Sequence, residues 1–188
     1  MCGIFGVYNK KIDRELADYC VDRMTHRGPD GRGVWQEDLV TLGHRRLSIL
    51  DLSENGSQPM SYGDGHFVLT FNGEIYNFIE IRNELSKEGY EFSSDSDSEV
   101  LLAAFIEWGE KCLDKFNGMF AFLIYDRVTK KMFVARDRFG VKPLYYTFLN
   151  EERTAIAFGS EMKVITPLMK EVKANKALVT NPSRIVFA

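Results

Sequence analysis

The chain has 188 residues, of which 45% are hydrophobic, 27% charged and 13% aromatic, with 24 basic against 27 acidic side chains and a net charge of -3. That length and balance describe one globular domain with a core of its own, and exclude disordered, collagen-like and disulfide-scaffold classes. The absence of a basic excess speaks against nucleic acid as a partner, and three cysteines, an odd number, fit a reducing compartment.

The first apolar segment, Ile4 to Tyr8, precedes the first lysines and is too short to span a bilayer, so the terminus reads as a strand without an export signal. The expected location is cytoplasmic, with no membrane contact. Ala17, Cys20, Val21 and Met24 mark one face of a helix that ends before Gly28-Pro29. Val34-Trp35 and Leu39 to Leu42 predict a hairpin turning near Glu37-Asp38, and Ser53 to Gly65 reads as a long loop. Phe67 to Phe71 is a second strand, broken by Asn72-Gly73 as a turn pair.

A helix follows from about Asn77, with Phe78, Ile81 and Leu85 on its apolar face. Another starts near Asp97 or Ser98, showing Leu101, Ala104, Phe105 and Trp108. Strands are predicted at Met119–Tyr125, Met132–Ala135, Leu144–Phe148 and Ala155–Phe158, and Arg184 to Phe187 is strand-like. The order gives a layered α+β domain in which helices cover antiparallel sheets; the favoured version stacks two sheets between helix layers.

Cys2 is the most unusual placement. With Met1 removed, its thiol would lie beside its own α-amine, whose ordinary pKa of about 7.7 to 8.0 suits a general base at neutral pH. Read alone, it is first a small apolar residue entering a strand, a reading that only motif context overturns. Cys20 and Cys112 read as core, and the three histidines show no ligand spacing, so no metal site is expected. Four polar clusters lie where elements meet: His26 to Asp30, Gly43 to Ser48, Asn72 to Asn77 and Ser94 to Glu99. An asparagine amide with a glycine N–H can hold one oxyanion, an arginine fork a carboxylate and an aspartate an ammonium. Taken singly, each cluster is also ordinary turn, surface or helix-cap chemistry.

Together, M-C-G-I at the start, H-R-G-P-D, G-H-x-R-L-S-I, N-G-E-I-Y-N, S-D-S-E and R-D-x-x-G-x-x-P-L-Y resemble the glutaminase domain of class II glutamine amidotransferases, and within that group the asparagine synthetase type. The resemblance runs in order from Cys2 to about Glu161. It implies an N-terminal-nucleophile hydrolase fold, a four-layer αββα sandwich, acting on L-glutamine and passing ammonia onward. Carried over by position, Cys2 is the nucleophile and its freed amine the base. Asn72 and the Gly73 N–H form the oxyanion hole. Arg46 binds the substrate carboxylate, Asp97 with Glu74 its ammonium, and Leu47 and Ile49 touch it through main-chain atoms. Arg136 to Tyr145 is given a structural role.

Residues 1–188 then constitute the glutaminase domain. The ATP-dependent synthetase domain that receives the ammonia in cis, and to which ATP and Mg belong, is not in this chain; no cofactor is expected in the domain itself. Aspartate is the default acceptor. A glutamine-binding or regulatory domain without turnover, or a structural interaction domain, is the alternative.

Overall fold

A computed structural model describes residues 1–49, 53–62 and 65–172. Its strands form two antiparallel sheets. The first contains β1 (Gly3–Tyr8), β2 (Gly31–Glu37), β3 (Val40–Arg46), β8 (Tyr145–Phe148) and β9 (Ile156–Gly159), in the order β2-β3-β1-β9-β8. The second contains β4 (Met60–Tyr62), β5 (Phe67–Ile75), β6 (Gly118–Asp126) and β7 (Lys131–Arg136), in that order. Helices α1 (Arg14–Asp22) and α4 (Met162–Ile165) cover the first sheet, and α2 (Phe78–Lys87) and α3 (Asp97–Trp108) the second.

Three separate cores show the layering. One packs Leu69, Phe71, Phe122 and Ile124 of the second sheet against Ile81, Leu85 and Leu101 of α2 and α3. Another packs Phe5 and Val7 against Ala17, Cys20 and Val21 of α1 and Val164 of α4. Between the sheets lie Ile4, Val40, Leu42, Val68, Ala121 and Leu123. Since successive strand residues face opposite ways, β1 serves two cores at once, Phe5 and Val7 toward the helices and Ile4 toward the other sheet. The result is the expected four-layer αββα sandwich.

The helix ends follow local chemistry. Asp13 caps α1 by accepting the Leu16 N–H at 2.7 Å, and Ser96 caps α3 by accepting the Ser98 N–H at 3.1 Å. The β2–β3 hairpin turns at Asp38, whose φ of 50° is a left-handed conformation that aspartate tolerates.

Three expectations change. Asn72-Gly73 is not a turn: β5 runs through it to Ile75, with Asn72 opposite Ala121 and Gly73 opposite Phe120. The turn reading assumed left-handed backbone, which neither residue adopts. The loop from Ser53 contains the edge strand β4, whose three residues are too few to show a period. The short helix α4 was not anticipated. The strand-like run at residues 184–187 lies outside the described residues.

Candidate active site

The same period-two rule that builds the cores assembles the site. Ile4 faces the inter-sheet layer, so Cys2, two residues earlier, does as well. Val40 and Leu42 of β3 lead to His44 and Arg46 on that face, and Val68 of β5 leads to Asn72 and Glu74. The start of β1 pairs with the end of β3, so these side chains converge at one end of the sandwich. There they line a cavity of about 230 Å³ together with Leu47, Ile49, Gly73 and Asp97. All eight residues singled out in the sequence therefore border one space, although they come from positions 2 to 97.

Cys2 is held through its sulfur. The Leu47 N–H donates to Sγ at 3.4 Å, and the thiol lies 3.6 Å from the Leu47 carbonyl. The Arg27 Nε donates to the Cys2 carbonyl at 2.9 Å, and its Nη1 pairs with Glu161 at 3.2 Å. Burial raises the Cys2 pKa, against smaller lowering effects of the Leu47 N–H bond, the amino terminus and Arg46. The residue is thus kept as a thiol and needs a base to become a nucleophile.

The oxyanion candidates share a notable condition. Asn72 is 1% exposed, and its amide Nδ2 has no hydrogen-bond partner among the described residues. The Gly73 N–H follows from pairing parity. In an antiparallel ladder a residue turns its N–H and C=O to the same neighbour. Phe120, opposite Gly73, spends both on Asp137: its carbonyl accepts the Asp137 N–H at 2.7 Å, and its N–H donates to Oδ2 at 3.2 Å. Gly73 therefore turns its N–H away from β6, beyond the start of β4, toward the cavity. A Cβ there would lie 2.4 Å from the Met119 carbonyl and 2.8 Å from the Phe120 Cα, so the narrow pair requires glycine.

Asp97 sits in the first turn of α3 and accepts the Ile75 N–H at 3.0 Å. Burial first, and then the neighbouring Glu74 carboxylate, raise its pKa to about 6. Arg46 donates to the Ser53 carbonyl at 2.7 Å on the cavity wall. Ile49 is exposed at the mouth. Burial pushes His44 down to about 4; its neutral ring donates from Nε2 to the Phe71 carbonyl at 3.0 Å.

Sequence reasoning did not place Arg27, Gln58, Ser98 or Lys142 in the site. Gln58 and Ser98 line the cavity and are joined by a 3.0 Å hydrogen bond. Gln58 lay in a segment read only as loop. Lys142 belongs to the R-D-x-x-G-x-x-P-L-Y block. The Asp137 carboxylate accepts the N–H groups of Val141 and Lys142 at 2.9 and 3.0 Å, and Arg136 donates to the Lys142 carbonyl at 2.6 Å. That closed loop places buried Lys142 on the cavity wall, so the block reaches the site as well as closing the fold.

Among the described residues no helix is long and apolar enough to cross a membrane. The family model described as "Glutamine amidotransferase domain" matches residues 1–183. "Asparagine synthetase [glutamine-hydrolyzing] 1" of Bacillus subtilis is 44% identical over 182 residues, covering 94% of this chain and 28% of its own length. "Asparagine synthetase B [glutamine-hydrolyzing]" of Escherichia coli is 40% identical over 177 residues, covering 92% and 31%. The chain thus spans less than a third of the length of these relatives. Among solved structures, the glutamine phosphoribosylpyrophosphate amidotransferase from B. subtilis superposes with a TM-score of 0.75 at 21% identity, over 89% of this chain and 43% of that one. That likeness is one of fold, in keeping with the four-layer αββα sandwich.

Proposed function

The chain belongs to the glutamine amidotransferase domain family, and from that premise we propose that its site hydrolyses L-glutamine to glutamate and ammonia through a thioester on Cys2. One observation carries this reading: a buried amide donor without a partner among the described residues, Asn72 Nδ2, borders the same cavity as the Cys2 thiol. A buried donor left unpaired is costly and calls for a ligand acceptor.

In the proposed reaction the substrate carboxylate meets Arg46, and its ammonium meets Asp97 with Glu74. Main-chain groups of Leu47 and Ile49 line its path. The Cys2 amine takes the thiol proton as sulfur attacks the side-chain amide carbon. Asn72 and the Gly73 N–H hold the oxyanion. The protonated amine then gives its proton to the departing nitrogen, and ammonia leaves a γ-glutamyl thioester. Water, losing a proton to the same amine, attacks the thioester, and collapse expels glutamate and restores the thiol. Asparagine, one methylene shorter, cannot reach Cys2 from the same clamp. The names of the relatives support delivery of the ammonia to an amidation of the asparagine synthetase type, with aspartate as acceptor, in a synthetase domain outside this chain.

Met1 precedes Cys2 and is joined to the nitrogen that must act as base. Turnover is therefore expected only from molecules lacking Met1. Intact mass and glutamate release, measured on the same sample, test this; glutamate release from a fully Met1-bearing sample would refute the amine as base, and its absence after removal of Met1 would refute turnover.

A pH dependence also follows. The substrate ammonium requires ionised Asp97, whose pKa in the empty site is about 6. Glutamine affinity should therefore fall as pH drops through about 6, by up to roughly tenfold per unit below it. In the empty protein the sign for stability is opposite. The raised carboxyl contributes stability at low pH that is lost as pH climbs from the usual carboxylate range through about 6. Asp97→Asn keeps an acceptor for the Ile75 N–H, and should raise KM and flatten the acid limb while the melting temperature at pH 7 holds or rises. An unchanged acid limb would remove Asp97 from the clamp.

A further inference from the structure

The far end of β5 is a sheet edge without a strand. β4 starts at Met60, opposite Leu69, so the outward main-chain groups of Phe71, Gly73 and Ile75 have no ladder partner among the described residues. Side chains from three other segments take their place. Gln58 Oε1 accepts the Phe71 N–H at 2.6 Å, His44 donates to the Phe71 carbonyl at 3.0 Å, and Asp97 Oδ2 accepts the Ile75 N–H at 3.0 Å. Between these capped positions, the Gly73 N–H has no hydrogen-bond partner among the described residues.

Gln58 makes a second connection. Its Nε2 donates to Ser98 Oγ at 3.0 Å, one residue from Asp97 at the start of α3. Its main chain is seated against β2, where a Cβ on Gly33 would lie 2.0 Å from the Gln58 carbonyl oxygen. Both ends of the amide are thus used inside a buried wall of the cavity.

We propose that Gln58 is a positioning residue for the reaction: its amide fixes the Phe71–Gly73 edge so that Asn72 and Gly73 meet the oxyanion, and ties that edge to the helix carrying Asp97. The proposal rests on the glutaminase reading. Glutamine spans a limited length from ammonium to amide, and in that reading Asp97 of α3 meets its ammonium while Asn72 and Gly73 of β5 meet its amide oxygen. Gln58 bridges those segments directly. A shift of about 1 Å between them would cost on the order of a hundredfold in rate.

The test uses the chain freed of Met1. Gln58→Met keeps an unbranched side chain of similar size and removes both hydrogen bonds. Its kcat should fall about thirtyfold with KM within about threefold, because donor placement matters most in the transition state. Asn72→Ala should cost a hundredfold or more in the parent but under about tenfold in the Gln58→Met background, since the donor is already displaced there. Independently of turnover, the Phe71 amide should exchange faster with solvent in Gln58→Met, read by NMR. Additive losses, or unchanged Phe71 protection, would overturn the proposal. Should Gln58→Met fail to fold, Ser98→Ala removes only the tie to α3. It should lower kcat/KM about fivefold and combine non-additively with Asp97→Asn; an unchanged kcat/KM would overturn the bridge. A parent chain that makes no glutamate would refute the glutaminase reading instead, and Phe71 exchange alone would then decide whether Gln58 braces the edge.

Discussion

Cys2→Ala is expected to reduce glutamate formation to background while leaving the fold intact. Among the described residues the sulfur's hydrogen bonds are two long ones, both to the Leu47 main chain at 3.4 and 3.6 Å, and Cys2 is half-buried at the head of β1. Its carbonyl, which anchors the terminus to Arg27 at 2.9 Å, survives the substitution. The loss in packing is therefore small. The loss in chemistry is total for covalent catalysis, on the order of 10⁶-fold, the scale expected when a hydrolase loses its nucleophile. Glutamate release and a thermal melt on the same sample check both halves. Turnover retained at even a few per cent would remove Cys2 from the mechanism. A large fall in melting temperature would show instead that the residue matters for packing.

The architecture was readable where local pattern and tertiary role agree. The apolar run Ile4 to Tyr8, the helical stripe through Ala17 and Cys20, and the helix start near Asp97 were each legible locally, and the structure places them accordingly. The pattern failed at Asn72-Gly73, where the residue pair that most often marks a turn lies inside β5. Its glycine answers to the close approach of Met119 and Phe120, two strand residues more than forty positions away, and no local signal carries that information. That the eight candidate residues belong together was suggested by ordered motifs that residue chemistry alone left open, and they border one cavity. Gln58 and Lys142 were not legible as site residues. Gln58 matters because β4 starts too late to cover Phe71, and Lys142 because Asp137 folds its loop against the cavity. Both depend on what a neighbouring element leaves unpaired.

Asn72→Ala should lower kcat by about 10²- to 10³-fold, the usual consequence of losing one oxyanion donor, with KM changing far less. A donor that engages the tetrahedral oxygen more strongly than the ground-state carbonyl contributes to the rate and only weakly to binding. The same substitution should not destabilise the fold. Asn72 Nδ2 is buried with no partner among the described residues, a condition that costs roughly 1–3 kcal/mol in the empty protein. Truncation removes that unpaired donor, and the space it vacates adjoins the existing cavity, where water can enter. The melting temperature should therefore stay level or rise while activity collapses. A residue kept for packing gives the opposite pair of results, since shortening it lowers stability and affects activity only through unfolding. Steady-state kinetics and thermal denaturation of the Met1-free variant separate the two. Unchanged kcat, or a loss of activity that merely tracks a lowered melting temperature, would take Asn72 out of the oxyanion hole. Reduced kcat with undiminished stability would show that the fold carries this unpaired amide for the sake of the transition state.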